Sequence, residues 1–267
     1  MSARMSTKRR LGSVFERLVA KPSPSARATS RALSKTKQED FEAHLQSLIS
    51  ERLDALPPRE ALEFLFRLDA FLYVHQGRQS VAYGDGLHSK HRHIRYHDYF
   101  VERLAEGETV LDIGCGNGAL ALSMAERAGA LVTAIDLEAV HIEAARRNHA
   151  HPNITYVVGD ALEEIPNDRF DTVVMSNVLE HLPERPAFLR RAMGSTGARR
   201  ILLRVPTFER DWRVPLKKEL GVEWRLDTTH YIEYRLDEFA EELSLANLTI
   251  TDQRVNWGEI WAEAHPT

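Results

Sequence analysis

The amino-acid sequence predicts an open, doubly wound α/β fold, in which a mainly parallel sheet carries helices on both faces. A short apolar strand at 110–113 passes directly into a glycine-rich turn and then into a helix-forming segment. Apolar strand-like segments and helix-like segments then alternate along the chain. Acidic residues end three successive strands, at Asp112, Asp136 and Asp160. A strand that turns through glycine into a helix is where open α/β sheets bind nucleotide-like ligands.

The composition is typical of a soluble globular protein, with 43% apolar and 28% charged residues in a chain of 267. This length suffices for one large domain with additions or for two small domains. No apolar run approaches the roughly 18 residues that span a membrane. Cys115 is the only cysteine, which excludes a disulfide framework and a cysteine-based zinc site and favours a reducing, cytoplasmic compartment.

The first segment, residues 1–38, is predicted to be a basic flexible tail. Residues 1–37 carry ten Lys or Arg and one acid, Glu16, which leaves 25 basic and 38 acidic residues in the remainder. An organelle transit peptide and a basic anchor for anionic lipid or polymer are the alternatives for this segment. Because the remainder is acidic, we expect no nucleic-acid partner.

The second segment, residues 39–92, is predicted to be a helical cap with a lid loop. Apolar residues recur at helical spacing in 39–56 and again in 59–75, and two prolines interrupt the pattern between them. We expect this pair of helices to pack on the main domain. A freestanding dimerisation hairpin is the alternative.

The loop 77–91 is expected to cover the ligand pocket, and a helix is predicted from Ile94 to Leu104. Histidines in this region invite a metal-site interpretation. No fixed acidic partner lies nearby, so we expect no metal there or elsewhere in the chain. The histidines concerned are His88, His91, His93 and His97.

The turn after the first strand limits the class of ligand. Gly114, Gly116 and Ala119 satisfy the dinucleotide pattern G-x-G-x-x-G/A. Asp112 argues against a dinucleotide, because a carboxylate beside a pyrophosphate would repel it. The same carboxylate suits a ligand with an amine and a sulfonium, such as S-adenosylmethionine (SAM). We interpret Cys115 as a small residue that fills the turn rather than as a nucleophile.

The segment 112–118, Asp-Ile-Gly-Cys-Gly-Asn-Gly, resembles the first motif of the class I SAM-dependent methyltransferases. The resemblance covers roughly residues 93–267 and implies a Rossmann-like sheet of seven strands with SAM as cofactor. It implies that the cofactor contacts the motif at Asp112, Gly114, Cys115 and Gly116. It also implies that a lid residue touches the methionine part, for which Tyr83, Arg95 and Tyr96 are the candidates.

Two later strands add residues to the expected cofactor site. Asp136 follows Gly114 by 22 residues, a distance at which it would accept both ribose hydroxyls, and we assign its neighbour Leu137 to the same site. An N-cap for the following helix is the alternative role of Asp136. The resemblance implies that Asp160 and Ala161 meet the adenine, and a turn aspartate is the alternative there.

The acceptor side is assigned to two regions. The segment 176–182 is similar to the family's fourth motif region, which implies that Asn177 contacts the methionine part and that His181 faces the acceptor. A structural role for Glu180-His181 in shaping the following turn is the alternative.

The insert 206–234 is too long for a simple connection and mixes polar and aromatic residues, as acceptor-binding segments do. In it, His230 is the candidate general base and Glu233 the group that orients it or holds substrate. A purely structural His230 is the alternative. A helix at 236–245 and two antiparallel strands then close the chain. Three arginines of the insert are expected to bind an acidic acceptor group: Arg210, Arg213 and Arg225.

These expectations combine into one functional hypothesis. We expect an enzyme that transfers the methyl group of SAM to a small-molecule or glycan acceptor, at a hydroxyl oxygen. An NAD-type dinucleotide oxidoreductase and a non-catalytic SAM-binding partner protein are the two alternatives.

Overall fold

A computed structural model describes residues 23–84, 88–166 and 168–267. The chain divides into two compact units, Met1–Ala61 and Leu62–Thr267. The first unit contains helices α1 (Pro24–Leu33) and α2 (Gln38–Asp54), and α3 (Pro58–Tyr83) begins at its end and continues into the second unit. Residues 1–22 of the predicted tail lie outside the described residues. The part of that tail at 24–33 is helical rather than irregular.

The second unit contains a seven-stranded sheet, which confirms the predicted fold class. Its strand order is β3-β2-β1-β4-β5-β7-β6. Strand β7 is antiparallel to both of its neighbours, and the other pairs are parallel. The order reverses between β1 and β4, and open α/β sheets bind ligands at such a reversal. The strands are β1 (Thr109–Ile113), β2 (Leu131–Asp136), β3 (Ile154–Val158), β4 (Thr172–Ser176), β5 (Arg200–Pro206), β6 (Leu248–Asn256) and β7 (Glu259–Pro266).

Helices cover both faces of the sheet because alternate strand residues point to opposite sides. Val173 and Met175 of β4 belong to one apolar core, and Val174 between them belongs to the other. The first core includes residues of α8 and α10, and the second includes residues of α5, α6 and α7. The helices of this unit after α3 are α4 (Lys90–Ile94), α5 (Tyr96–Val101), α6 (Ala119–Ala128), α7 (Ala139–Asn148), α8 (Arg185–Thr196), α9 (Arg213–Leu220) and α10 (Leu236–Leu245).

Two predicted boundaries are wrong. The helix predicted from Ile94 to Leu104 is broken at Arg95, whose backbone is left-handed with φ 53°, and its second part ends at Val101. The loop predicted to begin at Gly77 begins later, because α3 continues to Tyr83. A single glycine within a helix is tolerated when the neighbouring residues favour the helix.

Among the described residues, no helix combines the length and the apolar character that a membrane crossing requires.

Candidate functional site

A cavity of about 270 Å³ opens where β1 and β4 end, at the reversal in strand order. This volume is at the lower end of the range of small-ligand sites. The turn after β1 and the end of β4 form one side, and the ends of α3 and α4 contribute to the other. The lining residues are Val81, His88, His91, Tyr96, Asp112, Gly114, Cys115, Asn117, Ala119, Leu120, Ser176 and Arg204.

Asp112 supplies an unpaired carboxyl group to this cavity. The residue is 1% exposed, and its Oδ2 atom has no hydrogen-bond partner among the described residues. Burial, reinforced by the charge of Asp136, raises the pKa of Asp112 to about 7. A cationic ligand group beside Oδ2 would stabilise the ionised form. The part of the site beside Asp112 therefore suits an ammonium or sulfonium group better than a phosphate.

Hydrogen bonds to Asp136, at the end of β2, hold the glycine turn in place. Gly114 has φ 72°, and a Cβ atom there would lie 2.4 Å from Cγ2 of Val178. The N–H of Gly116 donates to Oδ2 of Asp136 at 2.8 Å, and the N–H of Glu138 donates to Oδ1 at 2.9 Å. Asp136 thus accepts hydrogen bonds from the backbone on both oxygens, and its binding of a ribose stays a prediction.

Cys115 lies in the same turn and lines the cavity. Burial, followed by the negative charge of Asp112, raises the pKa of its thiol. The thiol is therefore protonated near neutral pH and is a weak nucleophile. This agrees with its interpretation as a small residue that fills the turn.

Six residues assigned to the cofactor are not among those that line the cavity: Gly116, Asp136, Leu137, Asp160, Ala161 and Asn177. Leu137 is 59% exposed at the end of β2. Oδ1 of Asp160 accepts the N–H of Leu162 at 2.8 Å, which is the geometry of a turn aspartate. Leu137, Asp160 and Ala161 follow strands on one side of β1, and their contacts with a cofactor stay predictions.

Asn177 follows Ser176 at the end of β4, next to the cavity. Its backbone is left-handed with φ 56°, and its N–H donates to the carbonyl oxygen of Arg204 at 2.7 Å. Its side-chain Oδ1 atom is buried, with no donor among the residues that the structure describes. A buried amide oxygen of this kind is suited to accept an N–H from a ligand.

Arg204 and Glu259 are functional candidates that the sequence reasoning missed. Arg204 of β5 is 4% exposed, lines the cavity and donates from Nε to Glu259 of β7 at 2.6 Å. Its guanidinium also lies 3.8 Å from the ring centroid of Tyr96. The signal in the sequence was a lone arginine within the apolar strand Ile-Leu-Leu-Arg-Val.

Part of the predicted lid segment contributes to the cavity lining, and a contact with a cofactor stays a prediction. His88 and His91 line the cavity together with Tyr96. Tyr83 is 78% exposed, and Arg95 forms an ion pair with Asp98 at 2.6 Å on the surface. Of the three lid candidates, the structure thus brings Tyr96 to the cavity.

A second group of polar residues lies on the insert after β5. His230 is 6% exposed, and its Nδ1 atom lies 2.9 Å from Oε1 of the buried Glu233. The other oxygen of Glu233 accepts a hydrogen bond from Nη1 of Arg210. The predicted pairing of His230 with Glu233 is therefore present. The base role of His230 stays a prediction.

His181 lies next to His230. The centroids of the two imidazole rings are 4.5 Å apart, and Nδ1 of His181 lies 2.9 Å from Oγ1 of Thr229. Glu180 precedes His181 in a 3₁₀ turn and is fully buried, and burial raises the pKa of its carboxyl group to about 8. Strand β4 and the insert thus bring together residues 50 positions apart in the chain.

The three arginines expected to bind an acidic acceptor are engaged within the insert. Arg210 pairs with Glu233, and each of the others pairs with an acidic side chain two positions away. A paired guanidinium attracts a second anion less strongly. Arg213 lies 2.6 Å from Asp211, and Arg225 lies 2.8 Å from Glu223.

Residues 110–196 match the protein family described as "Methyltransferase domain". The chain is 34% identical over 155 residues to a protein named ubiquinone biosynthesis O-methyltransferase of Rhodopseudomonas palustris, a match covering 55% of this chain and 60% of that protein. It is 35% identical over 105 residues to the ribosomal protein L11 methyltransferase of Thermotoga petrophila, covering 38% of each. The chain thus spans less than two thirds of the length of these relatives.

Several solved structures are similar to the chain in fold, and one example is a methyltransferase. It is the magnesium protoporphyrin IX methyltransferase of Synechocystis, crystallised with bound SAH (S-adenosylhomocysteine). The two superpose with a TM-score of 0.53 at 23% identity, over 66% of this chain and 84% of the other.

Proposed function

We propose that this chain, whose residues 110–196 match the family described as "Methyltransferase domain", binds SAM beside Asp112 and transfers its methyl group to a hydroxyl oxygen of a small molecule. The observation that carries the proposal is the buried, unpartnered Oδ2 of Asp112 in the cavity at the reversal of the sheet. SAM carries an ammonium and a sulfonium, and either charge would stabilise the ionised carboxylate.

The remaining groups around the cavity fit the methionine part of SAM. The buried guanidinium of Arg204 lines the cavity, and Glu259 balances its charge through Nε and Nη2. Its Nη1 atom faces Ser176 at the end of β4 and would donate to the carboxylate of the methionine part. The unpartnered Oδ1 of Asn177 would accept a hydrogen bond from the ammonium. We assign the contacts with the ribose and the adenine to four residues: Asp136, Leu137, Asp160 and Ala161.

The chemistry requires alignment more than acid or base strength. The sulfonium of SAM is already a good leaving group, so an acceptor oxygen held in line with the S–CH₃ bond attacks the methyl carbon directly. The acceptor hydroxyl still loses a proton. His230, supported by Glu233, is the residue proposed to activate that hydroxyl, together with His181 beside it.

Oxygen is proposed as the accepting atom for two reasons. The 34% identical relative is named an O-methyltransferase. The imidazoles of His181 and His230 are also suited to activating a hydroxyl near neutral pH. A glycan acceptor finds no support in the names of the relatives described above, so we restrict the proposal to small hydroxylated molecules.

Two measurements test the proposal. Calorimetry with SAH should show one site in the wild type and at least tenfold weaker binding in Asp112→Asn. Mass spectrometry of products from methyl-labelled SAM, with a panel of small hydroxylated molecules and a cell extract, should show transfer to oxygen. Binding of NAD in place of SAH would overturn the cofactor assignment. Binding of SAH without transfer to any acceptor would overturn the catalytic assignment and favour a SAM-binding partner protein.

A further inference from the structure

Glu180, His181 and His230 form a compact group outside the cofactor cavity, which we name the Glu–His–His cluster. One potential ligand atom from each residue lies within 4.8 Å of the other two. The first two residues occupy the 3₁₀ turn after β4, and the third comes from the insert after β5. The N–H of Tyr231 donates to the carbonyl oxygen of Glu180 at 2.8 Å. This hydrogen bond connects the insert to the 3₁₀ turn.

The hydrogen bonds of His230 determine which of its nitrogens carries the proton. The carboxylate of Glu233 is paired with Arg210 and can only accept hydrogen bonds. The contact of 2.9 Å therefore has Nδ1–H of His230 as the donor. In the neutral imidazole, Nε2 then carries a lone pair and no proton.

The same reasoning applies to His181. The hydroxyl of Thr229 has one proton, which it donates to Oδ1 of Asp227 at 2.7 Å. Towards His181 this hydroxyl is an acceptor, so Nδ1–H of His181 donates to it at 2.9 Å. In the neutral imidazole, Nε2 of His181 therefore also carries a lone pair and no proton.

Glu180 is the third Lewis base of the cluster. Its side chain is fully buried, and within the described ranges neither carboxyl oxygen has a hydrogen-bond partner. A buried carboxyl group without a donor or a counter-charge is unfavourable, and native proteins rarely leave one in that state. The cluster thus brings together one carboxyl group and two imidazole lone pairs, with no hydrogen-bond donor among the described side chains facing them.

We propose that the Glu–His–His cluster binds one divalent transition-metal ion through the carboxylate of Glu180 and Nε2 of His181 and His230. Two imidazoles and one carboxylate are a ligand set that suits Zn²⁺, Mn²⁺ or Fe²⁺. Mg²⁺ and Ca²⁺ prefer sites made of oxygen ligands. Glu233 and Thr229 accept the Nδ1–H of the two imidazoles, which is how histidine ligands are oriented in metal sites.

The proposal differs from the sequence expectation that the chain holds no metal. That expectation considered the histidines at 88–97, and among the described residues these form no group of three potential ligands. The cluster joins residues separated by about 50 positions, so its spacing is not visible in the sequence.

The catalytic use of the metal rests on the proposed function, whereas metal binding itself does not. An open coordination position would take the acceptor oxygen, lower the pKa of its hydroxyl and release the proton to water. The oxygen would then form its bond to the methyl carbon while the S–CH₃ bond breaks, leaving SAH. His230 would in that case activate the hydroxyl as a metal ligand rather than as a direct base.

The test measures metal and SAH binding on the same samples of untagged, full-length protein. Chelator-treated protein is loaded with Zn²⁺, Mn²⁺, Co²⁺ or Mg²⁺ in separate experiments, passed through gel filtration and analysed by plasma mass spectrometry. We expect about one Zn²⁺ per chain and visible Co²⁺ absorption typical of nitrogen ligands. Glu180→Gln and His230→Gln should each weaken Zn²⁺ binding at least tenfold.

The matched control is His265→Gln. His265 lies in β7, outside the cluster, and its Nε2 pairs with Glu263 at 3.0 Å. This variant should bind Zn²⁺ as the wild type does. Glu180→Gln preserves the shape of the side chain, so it provides the test if His230→Gln fails to fold.

Three outcomes would overturn the proposal: a wild type without stoichiometric metal, cluster variants that bind metal as the wild type does, or a preference for Mg²⁺ over Zn²⁺. SAH calorimetry on the same samples separates this failure from failure of the proposed function. If the protein binds SAH but no metal, the metal proposal fails and the proposed function stands. If the protein binds metal but no SAH, the proposed function fails and the metal proposal stands.

Discussion

The charge inside the cavity depends on pH because Asp112 can gain or lose a proton there. In the ligand-free protein, burial and the nearby charge of Asp136 raise its pKa to about 7. An ammonium beside Oδ2 favours the ionised form, so ligand binding lowers this pKa. The affinity for a cationic ligand should therefore be high above pH 7 and should fall as the pH drops through that value.

SAH is the probe for this prediction, because its ammonium stays protonated below pH 8. We expect its affinity to fall about tenfold from pH 8 to pH 6, since the ionised fraction of a group with a pKa of 7 falls by that factor. Calorimetry at several pH values measures it. Asp112→Asn should bind SAH weakly with a flat profile, and a flat profile in the wild type would contradict the prediction.

Gly114 shows how a single residue sets the shape of the turn. Its φ of 72° is costly for other residues, and a Cβ atom would lie 2.4 Å from Cγ2 of Val178. Gly107 has φ 74° and nothing within 4 Å of the same position, so it isolates the backbone effect. Gly114→Ala should lower the free energy of unfolding by about 2–4 kcal/mol, and Gly107→Ala by about 1–2 kcal/mol.

Chemical denaturation measures both losses, and SAH calorimetry should show weaker binding only in Gly114→Ala. Adding Val178→Ala to that variant should restore part of the stability, because it removes the clashing methyl groups. Equal losses in the two single variants would show that backbone strain alone decides the effect.

At the scale of elements, a buried ion pair joins β5 to β7. Arg204 and Glu259 are both largely buried, and Trp261 of the same strand also donates to Glu259, at 3.1 Å. Removing Arg204 would leave a buried carboxylate without its cation. Arg204→Met should therefore lower the free energy of unfolding by about 3–5 kcal/mol, and adding Glu259→Gln should restore part of it.

The control for this prediction is Arg254→Met in β6, whose partner Asp252 is 3.5 Å away on the surface. Its effect should stay within about 0.5 kcal/mol, as for most exposed substitutions. Urea unfolding monitored by circular dichroism compares the variants. A similar small loss in Arg204→Met would show that the buried pair contributes little to the joining of the two strands.

The elements themselves were predictable to different degrees. Apolar runs placed the strands within a few residues, because a buried parallel strand needs a continuous apolar segment. The break at Arg95 was not predictable, since nothing in the local pattern marks a left-handed arginine. The proximity of Glu180 to His230 was equally hidden, because it depends on where the insert places His230.

Of the expected cofactor residues, those within one turn of β1 were predictable from the glycine pattern. Asp112, Gly114 and Cys115 do line the cavity. Asp160 was assigned by its position after a strand, and position alone does not reveal that its side chain is hydrogen-bonded within its own turn. The turn aspartate was the alternative role given to Asp160. The choice between the two roles depends on how far the end of β3 lies from the cavity, and sequence periodicity carries no information on that distance.

At the scale of the whole molecule, all seven strands, the cofactor cavity and the Glu–His–His cluster lie in the unit from Leu62 to Thr267. Helix α2 of the other unit has no buried residue within its bounds. A chain that begins at Pro58 retains α3 in full, because that proline is its first residue. We therefore expect this shortened chain to fold and to bind SAH within about twofold of the full-length affinity, since it keeps the apolar cores that stabilise the sheet.

A chain that begins at Gln38 is the control, because it lacks the basic segment and keeps α2. Thermal unfolding, SAH calorimetry and light scattering on the three chains separate the two interpretations of residues 39–75. A tenfold loss of SAH affinity on removal of α2 alone would contradict the prediction and support a cap. Unchanged affinity with a change from dimer to monomer would instead support the dimerisation hairpin, because the apolar side chains of α2, such as Phe41 and Leu48, are exposed in the single chain.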